Sequence, residues 1–169
     1  MNKSHINLVI LEDHRSIIDG YLYRLKENPH IRVVGAISYG EELERILDQT
    51  PVQVLLLDVQ VPISPVDSNP YPVMQLIPKL ILKYPDLNIL VITMHTQPIL
   101  IESLVEKGVN GIIFKDDSES IKKLAKIVAL IAGGGVYFSK VAKQIILNAD
   151  SASLTKPVLS VRQREVLEL

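Results

Sequence analysis

The sequence predicts a doubly wound α/β fold, with a five-stranded parallel sheet covered by helices on both faces and a C-terminal helical linker after it. Five short apolar runs recur at roughly regular spacing, at residues 6–11, 31–36, 52–58, 87–93 and 110–114. Each has the length of a buried strand, and segments with apolar residues at helical spacing lie between them. Continuous Val/Ile/Leu strands that alternate with amphipathic helices indicate a parallel sheet buried on both faces.

The composition is typical of a globular protein with a sizeable core, because 47% of the 169 residues are hydrophobic and 22% are charged. This length accommodates one full domain and a fragment of another. The formal net charge of −1 argues against wholesale wrapping of nucleic acid. The sequence has no cysteine, which excludes thiolate chemistry and favours a cytoplasmic location. No apolar run reaches the length of a membrane span, so we expect no membrane partner.

The helices are predicted from apolar side chains that recur three and four positions apart. Three of them are indicated by Ile17, Ile18, Tyr21, Leu22 and Leu25, by Leu43, Ile46 and Leu47, and by Leu100, Leu104 and Val105. A further helix is predicted over residues 118–132, ended by the glycines at 133–135, because glycine readily adopts left-handed conformations at helix ends. Segment 59–72 is predicted to be a long loop, since its prolines exclude regular helix and interior strand.

Three parts of the chain are distinguished by composition. Residues 1–133 hold all the predicted strands and form the first domain. Residues 134–157 are predicted to be a linker, which contains an amphipathic helix from Lys140 to Leu147 and then a polar stretch. Residues 158–169 are predicted to begin a further domain, with Ser160 as the N-cap of a charged amphipathic helix.

Polar side chains stand where four of the predicted strands end. Glu12 and Asp13 follow the first strand, Asp58 ends the third, Thr93 ends the fourth, and Lys115 follows the fifth. In doubly wound sheets the loops at the carboxyl ends of the strands build the functional site, so we expect these residues to meet. Carboxylates within about 4 Å of one another repel by roughly 4 kcal/mol per pair at an effective dielectric near 20, so a cation is required there.

A Mg²⁺ ion fits this requirement, because it prefers carboxylate oxygens, waters and phosphate. Asp13 and Asp58 are the expected direct ligands. A metal-bound carboxylate beside a lysine and a hydroxyl is equipped to attack phosphorus, with Asp58 as nucleophile, Lys115 as counter-ion and Thr93 as hydroxyl donor. For Asp13 or Asp58 taken alone, an ordinary helix-capping role is as good an interpretation.

Four motifs resemble the receiver domain of response regulators, whose fold is flavodoxin-like: VILEDH (9–14), LLLDVQVP (55–62), VITMH (91–95) and NGIIFKDDS (110–118). The resemblance runs from Asn7 to about Phe138. It implies phosphorylation of Asp58 by a sensor histidine kinase, a metal site formed by Glu12, Asp13, Asp58 and the backbone carbonyl of Gln60, and no turnover beyond self-phosphorylation and self-dephosphorylation.

Two further motifs, GGGVYFS (133–139) and PVLSVRQREVLEL (157–169), resemble the NarL/LuxR-type subfamily with a helix-turn-helix output domain. Residues 158–169 would be the truncated start of that domain. The resemblance implies that the intact protein binds promoter DNA and controls transcription, whereas this chain should not read DNA by itself. A homodimer that uses the segment from Lys140 to Leu147 is also plausible on this basis.

The chain departs from the family pattern at three places. Ile112 stands where the family usually has an aromatic switch residue, so coupling through an aromatic rotamer is not expected. The loop after Asp58 is longer than usual and lacks the expected glycine. Gln60 and His95 occupy positions that flank the path of the hydrolytic water in the family, and we predict that they set the lifetime of the phosphoryl group.

Other functions remain open on the sequence alone. A phosphatase with an aspartyl-phosphate intermediate usually has a second acid two residues after its nucleophile, where Gln60 stands. A flavodoxin-like cofactor binder would have a glycine-rich phosphate loop, whereas this first loop is acidic. A receiver without a phosphorylation cycle, which acts as a protein-interaction module, is the third alternative. His14 and His95 are interpreted as solvated or hydrogen-bonded side chains and not as a metal ligand or a catalytic base, because the histidines lack zinc-site spacing.

Overall fold

The computed structural model of the protein describes residues 5–152. Within that range the strands are β1 Ile6–Leu11, β2 Ile31–Ile37, β3 Val54–Leu57, β4 Pro62–Ser64, β5 Asp67–Pro70, β6 Asn88–Thr93, β7 Gly111–Phe114 and β8 Tyr137–Phe138. The α-helices are α1 Arg15–Leu25, α2 Leu43–Gln49, α3 Val73–Lys83, α4 Pro98–Glu106, α5 Ser118–Lys122, α6 Leu124–Ala132 and α7 Lys140–Ala152, and a short 3-10 helix, Gly40–Glu42, precedes α2.

A parallel sheet in the order β2-β1-β3-β6-β7-β8 forms the centre of the molecule. Alternate side chains of each strand enter two separate apolar clusters, as the alternation of a β-strand requires. In β1, Val9 and Leu11 pack toward α2, α3, α4 and α7, whereas Leu8 and Ile10 pack toward α1 and α6. The predicted doubly wound α/β fold is therefore confirmed, and all five predicted strands are present.

The sheet has six strands in the described part of the chain, and the prediction of five was wrong by one. The sixth, β8, is two residues long and pairs with β7 through Gly111 with Tyr137 and Ile112 with Phe138. A side chain at Gly111 would bring its Cβ to 2.6 Å from the Tyr137 carbonyl oxygen, so glycine is what allows this close approach. Two residues that follow a glycine run carry too little periodicity to be recognised as a strand.

Two segments of the structure differ from their predicted secondary structure. The proline-rich segment 59–72 contains an antiparallel hairpin, β4–β5, and is not a plain loop. The helix predicted over residues 118–132 is divided into α5 and α6, because the backbone of Lys123 (φ −97°, ψ 10°) leaves the helical region between them. The glycine run does end α6: Gly133 is the C-cap residue and Gly134 has φ 81°.

The helix predicted from Lys140 to Leu147 is present as α7 and continues to Ala152. It packs against α4, β7 and β8, and buries Ala142 and Ile146 in the larger apolar cluster. The predicted N-cap at Ser160 and the helix after it lie outside the described residues, and the proposed divisions near residues 133 and 157 stay predictions. None of the helices in the 5–152 range is both long and apolar enough to cross a membrane.

Candidate functional site

The carboxyl ends of four parallel strands bring the predicted residues to one edge of the sheet. Backbone ladder bonds continue past the strand ends: the Asp58 amide donates to the Leu11 carbonyl at 3.0 Å, and the Lys115 amide donates to the Thr93 carbonyl at 2.9 Å. The Glu12 amide donates to the Ile37 carbonyl at 3.1 Å. The positions of Glu12, Asp58, Thr93 and Lys115 are therefore fixed by the sheet and do not depend on flexible loops.

Lys115 links two buried carboxylates at this edge. Its Nζ lies 2.7 Å from Asp58 Oδ2 and 2.6 Å from Glu12 Oε2. The Nζ donates a hydrogen bond to Asp58 Oδ2 and forms an ion pair with Glu12 Oε2. The side chain of Glu12 is 1% exposed and that of Asp58 is 6% exposed, so the lysine supplies charge that water cannot.

The pKa of Lys115 reflects two opposed effects. Burial alone would lower the pKa, but hydrogen bonding to Asp58 and Glu12, together with their negative charges, outweighs burial and raises the pKa above the usual lysine value. Lys115 is therefore a permanent cation at neutral pH. An ammonium in this position is suited to neutralise further negative charge at Asp58.

His14 is a site residue that the sequence analysis did not select. Its Nδ1 lies 2.8 Å from Asp13 Oδ1 and 3.0 Å from Glu12 Oε1, and its backbone amide donates to Glu12 Oε1 at 3.0 Å. The hydrogen bond to Glu12, followed by the charge of Asp13, raises the pKa of His14. A single histidine after a strand carries no spacing signal, so its approach to the acids becomes visible only in three dimensions.

The acidic residues of the first loop have the chemistry of a cation site. Ligand atoms of Glu12, Asp13 and His14 lie within 4.8 Å of one another. Glu12 is 1% exposed, and its Oε2 is paired with Lys115 Nζ at 2.6 Å. Carboxylate oxygens are the donors that Mg²⁺ prefers, so Glu12, Asp13 and Asp58 fit that ion.

A small pocket of about 110 Å³ lies at this edge of the sheet. Its lining residues are His14, Asp58, Gln60, Met94, His95 and Lys115. The Gln60 amide donates to Asp58 Oδ1 at 3.2 Å, and the His95 amide donates to Thr93 Oγ1 at 3.1 Å. Thr93 is fully buried and does not line the pocket, although it ends the neighbouring strand. The pocket thus gives access to Asp58, and Gln60 and His95 are among its lining residues.

Tyr21 is a second residue near the acids that the sequence analysis assigned only to an apolar helix face. It is 5% exposed, and burial raises its pKa, with further contributions from the negative charges of Glu12 and then Asp58. Nothing in the sequence distinguishes this tyrosine from a core residue, because aromatic residues at helical spacing are common on buried faces.

Ile112 is buried at the position where receiver domains usually have an aromatic switch residue. It pairs across the sheet with Phe138 of β8, and its carbonyl accepts a hydrogen bond from the Ser139 amide at 2.9 Å. Ser139 Oγ in turn accepts from the Ala142 amide at 3.4 Å, at the first turn of α7. The strand that delivers Lys115 is therefore bonded to the beginning of α7.

Comparison with known proteins gives one family and a consistent set of relatives. The profile of the response regulator receiver domain matches residues 8–128. The transcriptional regulatory protein DegU of Brevibacillus brevis is 26% identical over 148 residues, which cover 86% of this chain and 58% of DegU. The methanol utilization control regulatory protein MoxX of Paracoccus denitrificans is 29% identical, over 96% of this chain and 70% of MoxX.

Solved structures show the same fold at low identity. The isolated REC domain of RcsB from Salmonella enterica serovar Typhimurium, with the phosphomimetic BeF3⁻, superimposes with a TM-score of 0.72 at 22% identity, over 84% of this chain and 99% of that one. A structure of two RcsB dimers bound to two parallel DNAs gives a TM-score of 0.71 at 22% identity, over 84% of this chain and 68% of that one. The chain spans little more than half the length of DegU.

Proposed function

The chain belongs to the response regulator receiver domain family, and from that premise we propose that Asp58 accepts a phosphoryl group from the phosphohistidine of a sensor histidine kinase. The observation that carries this proposal is the environment of Asp58. One carboxylate oxygen is held by Lys115 Nζ at 2.7 Å, the other receives the Gln60 amide at 3.2 Å, and the residue lines an open pocket.

In the proposed transfer, an Asp58 carboxylate oxygen forms a bond to phosphorus while the bond from phosphorus to the imidazole nitrogen of the kinase breaks. The departing imidazole takes the electron pair of that bond. Lys115 neutralises charge on the phosphoryl oxygens, which is the main task of a protein in phosphoryl transfer. Thr93 Oγ1 accepts a hydrogen bond from the His95 amide, and its proton remains available for donation to a phosphoryl oxygen.

Mg²⁺ is the proposed cofactor, held by Glu12, Asp13, Asp58 and the backbone carbonyl of Gln60. When bound, it would supply positive charge to the phosphoryl oxygens and to the crowded carboxylates. The ligand atoms of Glu12, Asp13 and His14, which lie within 4.8 Å of one another, support this assignment. Hydrolysis of the phosphoryl group by water would then return Asp58 to its free state.

The output of the intact protein is proposed from its relatives. DegU and MctR are transcriptional regulatory proteins, and MoxX is a control regulatory protein. We propose that phosphorylation of this chain controls binding of promoter DNA by an output domain, and that the active form is a homodimer in the cytoplasm. The net charge of −1 supports an output domain, separate from this receiver, as the part that contacts DNA.

The proposal is tested by incubating the protein with Mg²⁺ and acetyl phosphate and measuring the intact mass. The wild type should gain the mass of one phosphoryl group, and chelation of Mg²⁺ should prevent the gain. Asp58→Asn should not be labelled, whereas Asp86→Asn, which changes an exposed acid, should be labelled like the wild type. Equal labelling of the Asp58 variant would refute the assignment.

A further inference from the structure

His14 is held against the acids of the first loop by its backbone and by its ring. Its amide donates to Glu12 Oε1 at 3.0 Å, and its carbonyl accepts from the amides of Ile17 and Ile18 at 3.0 and 3.1 Å, in the first turn of α1. Ring Nδ1 lies 2.8 Å from Asp13 Oδ1 and 3.0 Å from Glu12 Oε1. The backbone of His14 is therefore fixed on both sides, with one ring nitrogen against the two acids.

The spacing of these atoms matches that of ligands on one ion. Neighbouring ligand atoms of an octahedral ion with bonds of about 2.1 Å lie roughly 3 Å apart. The distances from Nδ1 to the oxygens of Asp13 and Glu12 have this value, and they are also ordinary hydrogen-bond lengths. The side chain of His14 is 66% exposed and that of Asp13 is 31% exposed, so both can turn toward an ion.

His14 also adjoins the carboxylate that is proposed to accept the phosphoryl group. It lines the same pocket of about 110 Å³ as Asp58, and it contacts Asp13 directly. The other histidine of this pocket, His95, belongs to no cluster of possible metal ligands among residues 5–152. His14 is thus next to both carboxylates that are expected to bind the ion directly.

An imidazole nitrogen changes which ion a carboxylate site prefers. Mg²⁺ is a hard ion that favours oxygen ligands and keeps its waters, so it gains little when a nitrogen replaces one of them. Mn²⁺ also accepts octahedral oxygen ligands, but as a first-row transition ion it gains more from a nitrogen ligand than Mg²⁺ does. A nitrogen beside the acids therefore favours Mn²⁺.

We propose that His14 is a further ligand of the divalent ion at the acceptor site, through ring Nδ1, and that it makes the site favour Mn²⁺ over Mg²⁺. The inference rests on the proposed function, which requires a divalent ion beside Asp58. On binding, the lone pair of Nδ1 goes to the ion, and a proton carried by that nitrogen is released to solvent. The sequence did not indicate this role, because a single histidine has no metal-site spacing.

The first test compares the affinities of two ions for the wild type and for His14→Ala. Free Mn²⁺ is followed by its electron paramagnetic resonance signal, and the affinity for Mg²⁺ is obtained by competition with Mn²⁺. The substitution should weaken Mn²⁺ binding by about tenfold and Mg²⁺ binding by less than about twofold, since water replaces the nitrogen at little cost to Mg²⁺. Because His14 is largely exposed, we expect the variant to fold.

The second test identifies the ligand itself. Electron spin echo spectroscopy of bound Mn²⁺ detects a nitrogen nucleus that is bonded directly to the ion. The wild type should show this nitrogen signal, and His14→Ala should lack it. His95→Ala is the matched control, because His95 lines the same pocket, and this variant should keep the nitrogen signal.

A histidine that only forms hydrogen bonds with the acids gives a different pattern. Its removal would change the affinities for Mn²⁺ and Mg²⁺ by the same factor, and bound Mn²⁺ would show no nitrogen signal in the wild type. Either result would overturn the inference, as would a nitrogen signal that persists in His14→Ala.

The outcomes separate this inference from the proposed function. If acetyl phosphate labels the wild type but not Asp58→Asn, and bound Mn²⁺ shows no nitrogen signal, the role of His14 is refuted and the acceptor role of Asp58 stands. If the nitrogen signal depends on His14 but Asp58→Asn is labelled like the wild type, the acceptor role is refuted and His14 is still a metal ligand.

Discussion

Lys115 balances two buried acids, and its removal should therefore destabilise the fold as well as the site. In Lys115→Met, Glu12 and Asp58 lose a cation that lies within 2.7 Å of each. Loss of one partner from a buried ionic group costs about 3 kcal/mol, so the free energy of unfolding at neutral pH should fall by roughly that amount. Chemical denaturation measures it, with Lys122→Met as the exposed control that should have little effect.

The stability supplied by Lys115 should depend on pH in a defined direction. Its pKa is raised in the folded protein, so its contribution is complete below the ordinary lysine value of about 10.4 and declines as the pH rises through the folded value. The difference in unfolding free energy between wild type and Lys115→Met should be constant from about pH 7 to about pH 10 and narrow above that range. A difference that already narrows near neutrality would contradict a raised pKa.

Gln60 and His95 should control how long a phosphoryl group stays on Asp58. Both side chains line the pocket that holds Asp58, so we expect them to restrict the approach of water. Replacing either one with alanine should speed decay of the phosphorylated protein by roughly three- to tenfold, measured from the intact mass over time. Gln97→Ala, an exposed change outside this pocket, serves as the control, and decay at the wild-type rate in both pocket variants would refute the prediction.

At the residue scale, the sequence best predicted the site residues whose positions are set by the end of a strand. Glu12, Asp58 and Lys115 were predicted to meet because parallel strands share one carboxyl edge, and the structure brings them together. His14 and Tyr21 were not predicted as site residues, since neither belongs to a pattern of spacing. Their proximity to the acids depends on loop conformation and on the rotation of α1 against the sheet, which periodicity alone does not specify.

Helix α7 packs on the sheet assembly, although the sequence analysis placed it within a linker. Ile146 is fully buried against the larger core cluster, whereas Val141 is 53% exposed. Ile146→Ala should lower the free energy of unfolding by about 3 kcal/mol, while Val141→Ala on the same helix should change it little. If denaturation showed equal stability for both variants, the packing of α7 on the domain would be refuted.

The β4–β5 hairpin is anchored by contact between Tyr71 and Gly40 of the 3-10 helix. A Cβ at Gly40 would overlap the Tyr71 ring, whereas a Cβ at Gly20, within α1, would meet no atom within 4 Å. Gly40→Ala should therefore destabilise the protein by about 1–3 kcal/mol. Gly20→Ala should stabilise it by about 0.5–1 kcal/mol, because alanine favours the helix.

This contrast is measured by denaturation of the two alanine variants. Loss of stability at Gly40 should be partly relieved when Tyr71 is also shortened to alanine. An unaltered or increased stability of Gly40→Ala would show that the hairpin is not fixed by this contact.

At the element scale, long apolar runs were predictable and short or strained elements were not. The strands with four or more consecutive apolar residues, such as β1 and β6, are defined by burial on both faces. The hairpin, the two-residue strand β8 and the break at Lys123 depend on tertiary contacts and on the backbone conformation of one or two residues. Local propensity carries little information about features of that size.

At the scale of the whole molecule, the sheet separates two apolar clusters and presents the acids at one edge. The ends of β1, β3, β6 and β7 therefore hold the site, and Ser139, which directly precedes α7, is bonded to β7. Strand β7 therefore connects Lys115 of the candidate site with the residue that precedes α7. The sequence predicted this layered arrangement, because it follows from the alternation of apolar runs and amphipathic segments.

The central claim is that Asp58, among several neighbouring carboxylates, is the one that bonds to phosphorus. Borohydride reduction tests it directly, since borohydride converts an aspartyl phosphate to homoserine and leaves free carboxylates unchanged. After phosphorylation with acetyl phosphate and Mg²⁺, peptide mass analysis should locate homoserine at position 58. Homoserine at position 13, an altered residue at position 12, or no conversion in phosphorylated protein would contradict the account.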